Sequence, residues 1–238
     1  MGIEKPNLSV VASGEPSLPC QGHIKKLFEC KTTRVVSPQH VIFSQGETPH
    51  TVFFICKGLV KLTRTESDGS RAIVGLRGTG WLLGAAPLLG EHYASTAEAV
   101  MRSTLCIIPI DKFRQEVETN AQFSQWVAMI FSRQVYSSVF SISERSCLSG
   151  RKRLEKFLCE IIQGQNNWNS NKVVKIPILL KQWEVAQLLG LSPEHLCRLI
   201  KQMENEGIIS RENGWLILRN RKKLSLSGSG SRDYSQSK

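Results

Sequence analysis

Apolar residues follow two different rhythms along this chain. In the first half they fall in short β-branched and aromatic runs: Val41-Ile42-Phe43, Val52-Phe53-Phe54-Ile55, Leu59 to Thr65, Arg71 to Leu76 and Thr104 to Ile110. Gly46, Gly58, Gly69 and Gly80 lie between them, and Asp68-Gly69 is a hairpin signal between the third and fourth runs. Short strands at roughly ten-residue spacing predict a barrel or jelly-roll-like β-roll. From Asn120 the period changes. Phe123, Val127, Ile130, Phe131, Val135, Val139 and Ile142 recur at three- and four-residue steps, which predicts one long helix to about Arg145, capped by Asn120. The small polar stretch Ser143 to Gly150 reads as a hinge. The next helix, Arg151 to Gln163, would bury Leu154, Phe157, Leu158, Ile161 and Ile162. Its opening Arg151-Lys152-Arg153 opposes the helix dipole, which fits either nearby phosphate or a solvated face.

Residues 182–201, QWEVAQLLGLSPEHLCRLIK, hold two short amphipathic helices around a Gly190-Leu191-Ser192 turn. Val185, Leu188 and Leu189 give the first helix its apolar face, and Ala186 is small enough for the second helix to approach. Gly190 suits a left-handed helix end; Ser192 suits an N-cap, and Pro193 the first helical position. Leu196, Leu199, Ile200 and Met203 make the buried stripe of the second helix. Glu194, His195, Arg198 and Lys201 are expected on its solvent face. This is the pattern of a helix-turn-helix, whose second helix enters a DNA major groove. Glu194 and Arg198, four apart, would be an ordinary ion pair on an arbitrary helix. After this turn they read as base contacts, carboxylate to cytosine N4 and guanidinium to guanine O6 and N7. Lys172 to Ile178 upstream reads as a strand, and residues 207–219 as a hairpin around Asn213-Gly214. Strand, helix, turn, helix and hairpin make a winged helix.

From Ile178 to Ile209 the chain resembles the DNA-binding domain of the CRP/FNR family of bacterial transcription regulators. Val41 to Lys156 is similar to that family's sensor barrel, dimer helix and hinge. The likeness covers all but roughly the first 25 and last 15 residues. It implies that Glu194 and Arg198 contact an operator, that the long helix pairs two copies, and that RNA polymerase is a partner. Pro193 stands where cyclic-AMP-responsive members carry a base-contacting Arg, and Cys197 where oxygen-responsive members carry Ser. Cyclic-AMP binders carry Gly-Glu in the roll, then Arg-Ser on the next strand. Aligned on Gly80 and Gly84, this chain has Ala85 for the Glu and Ser95-Thr96 for Arg-Ser. Both charged partners of a cyclic nucleotide are missing, so binding in the usual mode is not expected. Gly84, Ala85, Ser95 and Thr96 mark the corresponding effector pocket. The apolar stretch Trp81 to Leu89 either lines it for a less polar effector or fills the roll.

Charge sharpens this picture. The 238 residues carry a net charge of +11. Residues 1–150 hold 15 Lys and Arg against 12 Asp and Glu, +3, and residues 151–238 hold 16 against 8, +8. The excess lies on the half expected to meet DNA, as counterion release requires. Lys181, Ser192, Lys201 and the wing around Arg211 are the expected phosphate contacts. The seven cysteines form no C-x-x-C pair, which fits a reducing cytosol rather than a disulfide framework. Only Cys20 and Cys30 lie near the N-terminus, too few for four-thiolate ligation of an iron–sulfur cluster unless Cys56 or Cys106 joins them. Cys56 and Cys106 read as core residues, and Cys197 stands near the DNA-reading face, where oxidation would block binding. No stretch approaches 18 apolar residues and no basic-then-apolar leader opens the chain, so a cytoplasmic location is expected.

His40, His50 and His92 lack metal-ligand spacing, no catalytic constellation emerges, and no motif selects a cofactor. The resulting expectation is an α+β protein. Residues 1–24 form an arm, 25–119 a β-roll sensor domain, 120–147 the dimerisation helix and hinge, and 148–224 a winged helix-turn-helix, with 225–238 a tail. Its expected partners are double-stranded DNA, a second copy of itself and a small-molecule effector. Two rival readings are a metal- or substrate-dependent barrel enzyme with an accessory domain, and a non-specific architectural DNA binder.

Overall fold

Eight strands account for the first apolar rhythm. They are β1 (Thr33–Val36), β2 (Val41–Phe43), β3 (Thr51–Lys57), β4 (Leu59–Thr65), β5 (Arg71–Gly78), β6 (Leu82–Leu83), β7 (Thr96–Ala99) and β8 (Ser103–Pro109). The computed structural model describes residues 33–84, 92–163, 174–177, 180–212, 215–220 and 223–224. The strands form two antiparallel sheets, ordered β1-β8-β3-β6 and β2-β7-β4-β5. The uninterrupted apolar run of β3 is explained by burial on both faces. Phe53 and Ile55 point into the roll with Val60, Trp81 and Leu105, while Val52 and Phe54 pack outward against helices. The β4–β5 hairpin turns at Asp68-Gly69 as expected, with the Asp68 carboxylate accepting the Ser70 N–H at 2.8 Å.

Helix α1 (Ile110–Thr119) follows β8 directly, and α2 (Ala121–Cys147) starts at Asn120, whose side chain accepts the Phe123 N–H at 3.2 Å. The stripe along α2 splits in two. Phe123, Trp126, Val127 and Ile130 are buried with Phe113 on the outer face of the roll. Val135, Val139 and Ile142 are 62%, 60% and 63% exposed. The hinge is shorter than expected, because α2 runs through Ser143 to Cys147 and α3 (Gly150–Gln163) begins three residues on.

The C-terminal part contains β9 (Val174–Pro177), α4 (Gln182–Leu189), α5 (Pro193–Asn205), β10 (Ile209–Glu212) and β11 (Trp215–Leu218), with sheet order β10-β11-β9. Glu212 pairs with Trp215 at the end of the β10–β11 ladder; Asn213 and Gly214, the expected turn, lie outside the described residues. Leu154 and Leu158 from α3, Ala186 and Leu189 from α4, and Leu196, Leu199 and Met203 from α5 share one core with Ile208, Ile209 and Leu218.

Val185 and Leu188 of α4 turn the other way. With Leu180 and Phe157 they pack on Leu59, Leu76 and Val100 of the roll. Within this apolar seam the Lys61 ammonium meets Glu184 at 2.8 Å and Glu98 at 3.0 Å. Burial alone would lower the pKa of Lys61 and raise that of Glu184. Their mutual hydrogen bond, helped by Glu98 on one side and the Lys181 N–H on the other, outweighs burial and holds Lys61 above and Glu184 below their ordinary values. Gln187 completes the seam, accepting the Ile73 N–H at 3.1 Å and donating to the Arg71 carbonyl at 3.3 Å.

Removing the cation leaves two carboxylates facing each other in a low-dielectric seam. Lys61→Met should therefore cost roughly 3 kcal/mol in urea unfolding. Glu184→Gln should cost less, about 1–2 kcal/mol, because its amide oxygen still accepts hydrogen bonds and Glu98 still balances Lys61. The reverse order of effects would show that the seam does not depend on this charge balance.

Candidate nucleic-acid interface

The turn between α4 and α5 is built as its residues dictate. Gly190 takes φ 62°, a left-handed conformation that a side chain disfavours, and the Leu191 N–H closes back on the Ala186 carbonyl at 2.9 Å. The Ser192 hydroxyl caps α5 by accepting the His195 N–H at 3.2 Å, with Pro193 at the first helical position. Leu196, Leu199 and Met203 fix the inward face of α5, which leaves Glu194, Arg198 and Lys201 exposed. Ser192 and Lys181 are exposed beside them.

Among the described residues, neither Glu194 nor Arg198 takes part in an ion pair. The Glu194 carboxyl is held below its usual pKa by its own backbone N–H and by the Ser192 hydroxyl, with a smaller contribution from Arg198. It is therefore ionised at neutral pH and able to accept from an amino group, with a guanidinium beside it on the same helix face.

Two expected contacts are placed differently. His195 is half-buried rather than presented to solvent. The start of α3 approaches α5 so closely at Gly150 that a Cβ there would stand 2.8 Å from Leu191 Cδ2 and 3.3 Å from His195 Cε1. Arg211 is not a free cation: it grips Glu204 of α5 with Nε at 2.8 Å and Nη2 at 3.1 Å. The cause is geometric, since β10 runs back alongside the end of α5. The basic opening of α3 is also largely spoken for. Arg151 makes a bidentate pair with Glu206 at the end of α5, at 3.1 and 2.7 Å, and reaches Glu155 at 2.7 Å. It is a strut that fixes one end of α5 against α3. Arg153 donates to the Arg145 carbonyl at 2.9 Å, and Lys152 is exposed.

In the roll, Gly84 and Ser95 line a cavity of about 410 Å³ between the strands and α2, together with Trp81, Tyr93, Gln134 and Val139. Thr96 is on β7, where its hydroxyl accepts the Gln45 N–H at 3.0 Å. Ala85 lies outside the described residues. Cys106 is buried in the core and Cys56 half-buried, as expected. Among the described residues there is no cluster of three His, Cys, Asp or Glu side chains suited to a metal, and no helix is long and apolar enough to cross a membrane.

Sequence comparison matches this architecture part by part. Residues 33–120 match the cyclic nucleotide-binding domain, and residues 152–226 the Crp-like helix-turn-helix domain. The chain is 24% identical over 177 residues to the transcriptional activatory protein AadR of Rhodopseudomonas palustris, covering 72% of this chain and 71% of that one. It is 23% identical over 175 residues to the cAMP-activated global transcriptional regulator CRP of Haemophilus influenzae, covering 73% and 77%. The solved structure of FixK2 from Bradyrhizobium japonicum shares the fold, with a TM-score of 0.66 at 18% identity over 81% of this chain and 94% of that one. A sensor roll joined by a long helix to a winged reader defines the class. The chain belongs to the CRP/FNR family of DNA-binding transcription regulators.

The sequence reading missed Lys61, Glu184 and Gln187 as docking residues, and Arg151, Glu204 and Glu206 as struts. Lys61 and Glu184 are 123 positions apart, and no local pattern pairs them.

Gly190→Ala should cost about 1–2 kcal/mol in denaturant unfolding, the penalty of forcing a Cβ into the left-handed region. A neutral substitution would mean that the turn can relax to another backbone conformation.

Proposed function

We propose that this regulator binds a two-fold operator as a homodimer, with α5 of each protomer in the major groove. The observation that carries the reading is the pair Glu194 and Arg198, exposed on α5 and without an ion pair among the described residues. Glu194 accepts from cytosine N4, and Arg198 donates to guanine O6 and N7. His195 assists from its half-buried place at the start of the helix. Lys181, Ser192 and Lys201 hold phosphates around the groove. Arg211 joins them only by exchanging Glu204 for phosphate. The exposed stripe Val135, Val139 and Ile142 pairs with its counterpart in the second copy, which sets the two reading helices about one helical turn of DNA apart.

The domain limits follow the same scheme: the roll ends at residue 119, the dimer helix runs to 147, and the reader occupies 148–224. The protein works in the cytoplasm, where RNA polymerase is its partner on DNA. An effector in the roll shifts the population of dimer-helix and reader arrangements. Without the Glu and Arg of the cyclic-nucleotide cassette, that effector is not a cyclic nucleotide held in the usual mode.

Arg198→Ala should weaken operator binding by about 1–3 kcal/mol and relax preference at one base pair, read by gel shift against duplexes selected from a random pool. Retained affinity and preference would remove Arg198 from the readout. Val139→Glu combined with Ile142→Glu should convert the dimer to monomer in sedimentation and abolish binding to the two-fold site. A double variant that stays dimeric would place the subunit contact elsewhere.

A further inference from the structure

A second cavity lies outside the roll. It is a cleft of about 390 Å³ bounded by β5, the C-terminal half of α2, α3 and the end of α4. Its charged lining is Arg77, Glu144, Arg145, Arg153 and Lys156, with Ser138 and Ser141 beside them. The one carboxylate is taken, because Glu144 pairs with Lys156. The three guanidinium groups have no carboxylate partner among the described residues. Arg77 donates to the Leu76 carbonyl at 2.9 Å and stacks 4.3 Å from the Trp81 ring centre. Burial alone brings its pKa down to about 10. Arg153 spends one nitrogen on the Arg145 carbonyl, and its Nε is buried without an acceptor. A buried donor left unpaired on a charged group is costly and calls for a missing partner.

We propose that this cleft binds a compact organic phosphate, its phosphate held by Arg145 and Arg153 and its apolar body against Leu76, Phe157 and Leu188. Several guanidinium forks converging on one space suit a dianion with three or more oxygens better than a single carboxylate. Arg77 supplies a further cation at the roll side. The site also touches the reading machinery. A Cβ on Gly190 would stand 3.6 Å from Arg153 Nη1 and 3.8 Å from Arg145 Cδ, so an anion on these two arginines abuts the turn of the helix-turn-helix. Occupancy would neutralise repulsion between three like charges and draw roll, dimer helix and reader together. The consequence for DNA rests on the regulator reading above; the binding itself does not.

The test is calorimetric titration of the full chain with inorganic pyrophosphate and with AMP, in parallel with gel shifts on operator DNA. The wild type should bind both probes. Arg145→Gln with Arg153→Gln should weaken binding about tenfold or more, the loss of charge-assisted hydrogen bonds. Arg145→Gln alone should also weaken it, and its exposed side chain poses no threat to folding. Ser95→Val, in the roll cavity, should leave binding unchanged. The inference is overturned if neither probe binds, or if Ser95→Val abolishes binding while the arginine variants retain it. It is also overturned if the double variant loses operator affinity without ligand, which would make these arginines DNA contacts. Absence of binding heat with intact operator affinity rejects the cleft and leaves the DNA reading standing.

Discussion

A single ammonium group sits where the two halves of the molecule meet, and the orientation of the reading helix depends on how it is neutralised. Lys61 is matched by Glu98 from its own sheet and by Glu184 from the first helix of the helix-turn-helix. The same Glu184 carboxylate accepts the Lys181 N–H at 2.7 Å, so one side chain both starts α4 and docks it. Leu59, Leu76 and Val100 against Leu180, Val185 and Leu188 supply the buried area, but apolar contact is not directional. A buried ion pair need not add net stability, since desolvation offsets much of its attraction. What it contributes here is register: α4 can slide on an oily patch only by leaving a charge unpaired.

That register propagates outward through rigid pieces. Ala186 and Leu189 tie α4 to α5, and Arg151 ties the far end of α5 to α3 through Glu206. α3 is separated from α2 only by Leu148 and Ser149. α2 in turn is fastened to the roll by Phe123, Trp126 and Ile130, with Arg133 and Gln134 donating to the Gly80 and Leu82 carbonyls at 3.2 Å each. The loop from roll to long helix to reader and back to roll is thus closed by packed contacts. A change in the roll has two routes to α5, along α2 through the short hinge and directly across the Lys61 seam.

The parts legible from sequence are those whose physics is local. The turn at Gly190 and the cap at Ser192 depend on residues within a few positions of each other. The 27-residue α2 declares itself by repeated spacing. Strands β1, β6 and β7 are four, two and four residues long, too short to carry a period, and α1 follows β8 without a break. The stripe of α2 was visible, but its division into a half that packs on the roll and a half left exposed depends on where the roll ends. The half-burial of His195 and the pairing of Arg211 with Glu204 were not legible for the same reason. A helical wheel shows which way a side chain leaves its own helix, not that Gly150 or Glu204 waits for it in space.

The ion pairs of the reading half also bear on what Glu194 does there. Among the carboxylates of that half whose side chains are described, Glu155 and Glu206 are taken by Arg151, Glu204 by Arg211, Glu212 by Arg219 and Glu184 by Lys61. Glu194 has no such partner among the described residues, and it stands on the face proposed to approach a polyanion. For non-specific affinity this is a poor choice, since it repels every phosphate it nears. A carboxylate in that position is useful only where the groove offers a donor, and the major groove presents such donors only as the amino groups of cytosine and adenine. On a wrong site the charge stays unsatisfied and counts against binding. In the proposed readout Glu194 would therefore act by rejection as much as by attraction, with neighbouring Arg198 and Lys201 supplying the attraction that makes the rejection tolerable.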